Sequence, residues 1–498
     1  TKAVERLGIP GVMMSDGPHG IRKQEGEADH LGLNESVEAV CFPAACATAS
    51  SFDVDLIRQM GEILGEECQA EDLSMLLGPA VNIKRSPLCG RNFEYFSEDP
   101  YHAGKMAAAY VRGIQSKGIA ACPKHFAANS QELRRMANDS VVDERTFREI
   151  YTTGFEIAIK EGKSKSIMSS YNEVNGVYAN ENSHMLQEIL VDEWGFDGYV
   201  MSDWSAVSNR VKALKAGLDL AMPGEGPFMD QEIIQAVKNG TINEADLDIA
   251  VERILKIVFK YTDSEKKGTF DKEQDHAVSE KVALESMVLL KNEGILPLPE
   301  KGMKIAFIGE FASNPRFQGG GSANVKPYKV VSALDAVKSI AEVSYAQGFE
   351  LTEDKRNDVL FQSALKTAAE ADIAVIFAGL PEQFESEGFD REHMRMPECQ
   401  DELISEITKI QENVVVVMHN GSPVEMPWAD NVKGILEAYL GGEAVGQAVV
   451  KLLFGIENPC GKLAETIPYQ LSDNPSYLYF PGNGKKVEYR EGVFVGYR

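Results

Sequence analysis

The chain has 498 residues, 44% hydrophobic and 25% charged, enough for two or more globular domains with cores of their own. Asp and Glu outnumber Lys and Arg by 76 to 50, a net charge of −26, which argues against nucleic acid and anionic membrane surfaces as partners and favours a neutral or cationic ligand. No apolar run reaches the roughly 18 residues that would span a bilayer, residues 1–20 lack the parts of a secretory signal, and Cys41, Cys46, Cys68, Cys89, Cys122, Cys399 and Cys460 are scattered without a C-x-x-C pair, a pattern of free thiols in a reducing, cytoplasmic compartment.

Thr1 runs at once into Ala3-Val-Glu-Arg-Leu-Gly8, which reads as a cropped N-terminus. Residues 1–262 then alternate short apolar runs with amphipathic stretches, such as those beginning at Ser51 and Tyr101, as βα units do. Helices are predicted to open at Asp143 and Asn209, a last strand over Ala216–Gly224, and closing helices around Phe228–Lys238 and Glu244–Tyr261. This is the pattern of a (β/α)8 TIM-like barrel. Residues 263–280 begin polar, charged and poor in aliphatic side chains, and are predicted as a linker.

Residues 281–470 carry apolar runs at Lys304–Gly309, Ile373–Ala378, Val414–His419 and Gly434–Tyr439, separated by helical stretches such as Asp358–Glu370 and Asp401–Gln411. They predict a doubly wound α/β/α sandwich on a parallel sheet. Residues 471–498 are rich in Pro, Gly, Asn and Tyr, and read as a tail that stops in mid-strand and leads toward a missing third domain.

Reactive side chains gather where the apolar runs of the first unit end. Gly195 to Ser205 reads as a buried strand that stops on Asp203 with Trp204 behind it; Gly11–Asp16, Gly118–His125 and Ser166–Asn172 follow the same plan. Asp203 alone could be a helix cap. Together, Asp16, Arg91, Lys124 with His125, Tyr171 and Asp203 would supply anions, cations and an aromatic ring to one rim, where barrels of this type place their chemistry. Lys124 and His125 are adjacent, yet both can enter a pocket where the chain turns at a strand end. Gly90, beside Arg91, permits close backbone approach.

In the second unit, Phe384-Glu-Ser-Glu-Gly-Phe-Asp-Arg391 leaves a strand tip beside a glycine. By itself it is an acidic surface loop; facing carboxylates of another domain across a cleft, it would complete the two-acid geometry of glycoside hydrolysis. Glu385 and Glu387 lie two residues apart and could face the same side of an extended loop. Gly319-Gly-Gly-Ser-Ala-Asn324 fits neither G-x-G-x-x-G nor G-x-x-x-x-G-K-[ST], so it does not argue for a nucleotide. No H-E-x-x-H or Cys/His cluster argues for a metal.

Eight segments carry a resemblance: Ser15-Asp-Gly-Pro-His-Gly-Ile-Arg22, Gly90 to Pro100, Lys124-His-Phe-Ala-Ala-Asn129, Val142 to Tyr151, Met168 to Gly176, Gly198-Tyr-Val-Met-Ser-Asp-Trp204, Val288 to Gly294 and Gly319 to Ser322. With them the chain resembles glycoside hydrolase family 3, β-glucosidase branch, over nearly its whole length. The resemblance implies a cofactor-free, retaining mechanism in which Asp203 attacks the anomeric carbon and Glu387 is the acid/base. It also implies a glucose subsite lined by Asp16, Arg22, Arg91, Lys124, His125, Met168, Tyr171 and Trp204, and no metal. Members of this branch usually begin earlier and continue into a fibronectin-like third domain, and some carry a lectin-like insertion in the second domain; this sequence contains none of these.

The activity so implied is exo-acting release of glucose from β-glucosides and short β-gluco-oligosaccharides, with small carbohydrates as partners and a homo-oligomer allowed. A β-xylosidase or dual-activity glycosidase is the alternative, because the two pockets differ only in room for a hydroxymethyl group. The family's N-acetylglucosaminidases resemble a different loop after Lys-His-Phe, with its own His and Asp. A non-catalytic sugar-binding protein would not need both Asp203 and Glu387.

Overall fold

The computed structural model describes residues 2–24, 36–224, 226–262 and 269–498. The first part of the predicted linker, residues 263–268, lies outside them. Helix starts follow the local chemistry. Asp53 caps Val54–Ala70 by accepting from the backbone N–H of Asp55 and Leu56, Asp99 caps Pro100–Ser116 with Pro100 at its first turn, and Asn209 caps Arg210–Ala216. In each case a short polar side chain satisfies N–H groups that the first turn leaves free.

The first unit is built on parallel strands. Met14–Asp16, Met75–Leu77 and Ala120–Ala121 form one ladder, and Ser166–Ser169, Tyr199–Trp204 and Leu220–Met222 another. The two meet where Phe126 N–H donates to Met168 O (2.8 Å) and Met168 N–H donates to Pro123 O (3.0 Å). Six short parallel strands thus alternate with helices among the described residues, against the eight of a full barrel. Their facing side chains, including Met75, Leu77, Met168 and Met201, pack inside the ring.

The second unit is a six-stranded sheet in the order Val288–Asn292, Gly434–Glu437, Val414–His419, Ile373–Gly379, Ile305–Ile308, Val343–Ala346, with only the first strand antiparallel to its neighbour. The central strands are buried from end to end, as expected for parallel strands covered on both faces. Two edge strands escaped prediction: Val343–Ala346 is half exposed and Val288–Asn292 carries Lys291 and Asn292, so neither shows a continuous apolar run. From Ile308 the chain moves to one neighbour and then crosses back to Ile373 on the other side, and a crevice opens at such a switch point outside the carboxyl ends of the strands. Both loops of interest in this unit, 319–324 and 381–390, lie beyond those ends.

Three expectations change. The later part of the predicted linker is helical, Lys272–Ser286, capped by Asp271. Arg91 sits in a turn before the short helix Asn92–Glu94 and not on a strand end. Residues 471–498 are packed back on the first unit and finish in turns, not in mid-strand. There Lys486–Glu488 pairs in parallel with Asp139–Val141, and Lys84 Nζ lies 2.6 Å from Glu465, also beyond the sheet. Arg85 pairs with Glu491 in a buried contact while its guanidinium lies 3.8 Å from the centre of the Tyr489 ring. Breaking a buried pair strands the remaining charge. Glu491→Ala is therefore expected to cost about 3–5 kcal/mol, read as a lower urea midpoint at unchanged m; an unchanged midpoint would mean that the C-terminal segment contributes little to stability. No described helix is long and apolar enough to cross a membrane.

Candidate active site

The Tyr199–Trp204 strand delivers Asp203, 8% exposed, to the rim of the strand ring. Its Oδ1 accepts from the backbone N–H of Trp204 (2.7 Å), whereas Oδ2 is buried without a hydrogen-bond partner. Burial raises the Asp203 pKa, opposed by the positive charges of Arg91 and Lys124. His125 Nε2 lies 3.5 Å from Oδ2. Burial, with Arg91 and Lys124 nearby, keeps the imidazole far below its ordinary pKa, so this approach is a dipolar contact and not an ion pair.

Lys124 and His125 are both buried, and the turn there sends both inward: Lys124 Nζ donates to Asp16 Oδ1 (3.1 Å) and His125 N–H to Asn82 Oδ1 (2.8 Å). Burial would discharge Lys124, but Asp16 and Glu94 outweigh it and raise its pKa. Arg22 is buried close by, its backbone N–H donating to Asp16 O (3.0 Å). Arg91 is 1% exposed and pairs with Glu94 through Nε. Tyr171 lies beyond the Ser166–Ser169 strand with its ring facing the Arg135 guanidinium at 4.9 Å. Met168 belongs to the apolar cluster inside the ring, and Trp204, partly buried, packs against it.

The acidic loop of the second unit reaches this rim. Asp390 ties it down by accepting from the backbone N–H of Gly90 (3.1 Å), Glu132 (2.9 Å) and Leu133 (2.8 Å), all in the first unit. Gly90 is required for the approach, since a Cβ there would stand 1.8 Å from Phe389 O. Glu387 Oε1 accepts from Arg135 Nη1 (2.8 Å) with Arg91 Nη1 at 3.6 Å, and Oε2 accepts from the backbone N–H of Ser322 (2.7 Å) in the glycine loop. Burial alone would raise Glu387, yet Arg91, Arg135 and Ser322 prevail and hold its carboxyl well below the usual range. The field of Glu387 reaches Asp203 and raises it further, so the two carboxylates share one electrostatic site.

Glu385 does not share it. It is fully buried in the second unit, where Arg316 and Ser422 Oγ donate to its carboxylate together with the Gly421 N–H at 2.6 Å. The bridge between Ser386 and Phe389 closes a tight turn that carries Glu387, with Gly388 left-handed (φ 104°) directly after it, a conformation that glycine adopts without steric cost. An extended loop would have kept them on one side. Glu132 and Arg135 were overlooked in the sequence; their only signal there was an acid and a cation in the loop after Lys124-His-Phe126. Among the described residues no three His, Cys, Asp or Glu side chains are grouped to hold a metal ion.

Chemically, the arrangement combines a buried carboxylate with one free oxygen, a second carboxylate across the interdomain seam, and charged groups able to bond sugar hydroxyls. The profile for the glycosyl hydrolase family 3 N terminal domain matches residues 2–257, and that for the C-terminal domain residues 287–497. The chain belongs to glycosyl hydrolase family 3. Within this family it is 53% identical over 504 residues to thermostable beta-glucosidase B of Acetivibrio thermocellus, spanning all of this chain and 67% of that protein. It is 45% identical over 511 residues to an exo-alpha-(1->6)-L-arabinopyranosidase of Bifidobacterium longum, again over all of this chain and 67% of the relative. The crystal structure of a family 3 beta-glucosidase from Bifidobacterium adolescentis superposes with a TM-score of 0.94 at 45% identity, covering 100% of this chain and 72% of that one.

Proposed function

We propose that the protein is a retaining, exo-acting β-glucosidase in which Asp203 is the nucleophile and Glu387 the acid/base. The observation that carries this reading is the unpartnered, buried Oδ2 of Asp203 set in the field of a carboxylate from the other unit. An oxygen without a hydrogen bond has nothing to give up before it bonds to an anomeric carbon. Retaining chemistry uses such a pair about 5–5.5 Å apart, one to attack and one to move the proton. Asp16, Arg22, Arg91, Lys124, His125 and Tyr171 suit the hydroxyls of one sugar, while Trp204, packed against the apolar cluster that includes Met168, offers an apolar surface for the sugar ring. The seven free thiols, six of them buried, suit a cytoplasmic enzyme.

A second reading, an α-L-arabinopyranosidase, is favoured by the Bifidobacterium longum relative. Such a substrate presents an equatorial glycosidic bond of the same geometry and lacks the hydroxymethyl group. A panel of nitrophenyl β-D-glucoside, β-D-xyloside and α-L-arabinopyranoside separates the readings. The glucoside is expected to lead the xyloside in kcat/KM by about 10–200-fold, the range for small differences in pocket filling. A larger kcat/KM for the arabinopyranoside would transfer the assignment to the second reading.

A further inference from the structure

Arg135 Nη1 donates to two carboxylates at once: Glu387 Oε1 at 2.8 Å and Glu132 Oε2 at 2.7 Å. Glu132 Oε2 also accepts from the backbone N–H of Gly388 (2.8 Å), next to Glu387, while its Oε1 is buried and without a partner. A carboxylate oxygen left bare in a site with 1% side-chain exposure is costly when ionised and much less so when protonated. We propose that Glu132 and Arg135 form a positioning pair that governs whether Glu387 carries the catalytic proton. This rests on the reading of Glu387 as acid/base.

The physical basis is competition for one cation. When Glu132 is protonated, Arg135 is left to Glu387 and keeps it ionised, the form required of a base in deglycosylation. When Glu132 is ionised, it draws on Arg135 and repels charge on Glu387, which favours the protonated form required of an acid in glycosylation. The exchange breaks one O–H bond at Glu132 and forms one at Glu387, so the charge of the cluster is unchanged. Two such groups titrate as a unit.

The surroundings support this division. Burial, offset by Arg91 and Arg135 and reinforced by Glu387, places Glu132 at about 7. Of the groups that face the pair, Arg91 is held positive by Glu387 and Glu94, and Cys89 and Tyr95 are kept neutral by burial. Asp390 bonds only backbone N–H groups there, and Tyr171, under the Arg135 guanidinium, is raised by burial and stays neutral. Glu132 is thus the group of this cluster placed to change charge near neutral pH, and its charge acts on Glu387 through the cation they share.

The test is the pH profile of kcat/KM for cellobiose in Glu132→Gln and Arg135→Gln variants of the full chain. The Glu132→Gln side chain would preserve the acceptor for Gly388 N–H but never ionise, so the alkaline limb should move to lower pH by about one unit or more, about tenfold in rate at a fixed pH on that limb. Arg135→Gln removes the shared cation, so the limb should move to higher pH. A purely structural role would lower both profiles without opposed shifts. Limbs that stay in place, or move the same way, overturn the proposal. If Glu132→Gln fails to fold, the direction of the Arg135→Gln shift decides, since Arg135 is less buried. Azide rescue of Glu387→Ala is run alongside: rescue with unmoved limbs refutes the pair alone, and failure of rescue refutes the acid/base reading with it.

Discussion

Asp203→Ala is expected to lower kcat for cellobiose and aryl glucosides by about 10⁴–10⁶-fold, the scale of losing a residue that forms the covalent intermediate. The fold should be retained, because Oδ2 accepts no hydrogen bond and Oδ1 accepts only from the N–H of Trp204. Two readouts make the test specific. In the unaltered enzyme, a 2-deoxy-2-fluoroglucoside should leave a sugar on the peptide that contains Asp203. In the variant, azide should enter the vacated face and turn an activated β-glucoside into α-glucosyl azide. A sugar adduct on another carboxylate, or inverted product in an early NMR time course of the unaltered enzyme, would remove Asp203 from the role.

Glu387→Ala should separate the two halves of the reaction. General acid catalysis contributes about 10²–10⁴-fold, so cellobiose, with its poor leaving group, should lose about that much. Dinitrophenyl glucoside needs no proton to depart and should still glycosylate the enzyme. The intermediate then accumulates, because no base activates water, and azide should release it as β-glucosyl azide. Glu385→Ala is the control. Its carboxylate faces Arg316 and Ser422 inside the second unit, so its loss should appear as lowered stability from a stranded buried arginine, with no azide product. Azide rescue in Glu385→Ala and none in Glu387→Ala would move the acid/base by two residues.

The opposite anomers expected from azide in the two variants follow from the architecture. Asp203 belongs to the strand ring and Glu387 to the sheet unit, so under the proposed roles a sugar between them would meet one on each side. The seam is held shut by backbone bonds to Asp390 and by the contact at Gly90. A small shift in either would change the distance between the two carboxylates.

Much of this was legible in the residues alone, for a physical reason. Strand and helix periods are local, so the alternation of apolar runs with amphipathic stretches foretold parallel strands. Parallel strands bring their C-terminal ends to one face, and Asp16, Lys124, His125 and Asp203 could be placed at one rim before any coordinates. Edge strands such as Val343–Ala346 were illegible because half-exposed strands need no apolar run. Only the tertiary structure decided how Glu385 and Glu387 divide, since an irregular loop has no period and its side chains turn toward whatever partners other segments supply: Arg316 and Ser422 for one, Arg135 and Ser322 for the other. The sharing of Arg135 between Glu132 and Glu387, and the anchoring of residues 471–498 through Arg85, were hidden for the same reason. Each depends on charges from distant parts of the chain, brought together and shielded from water only in the folded molecule.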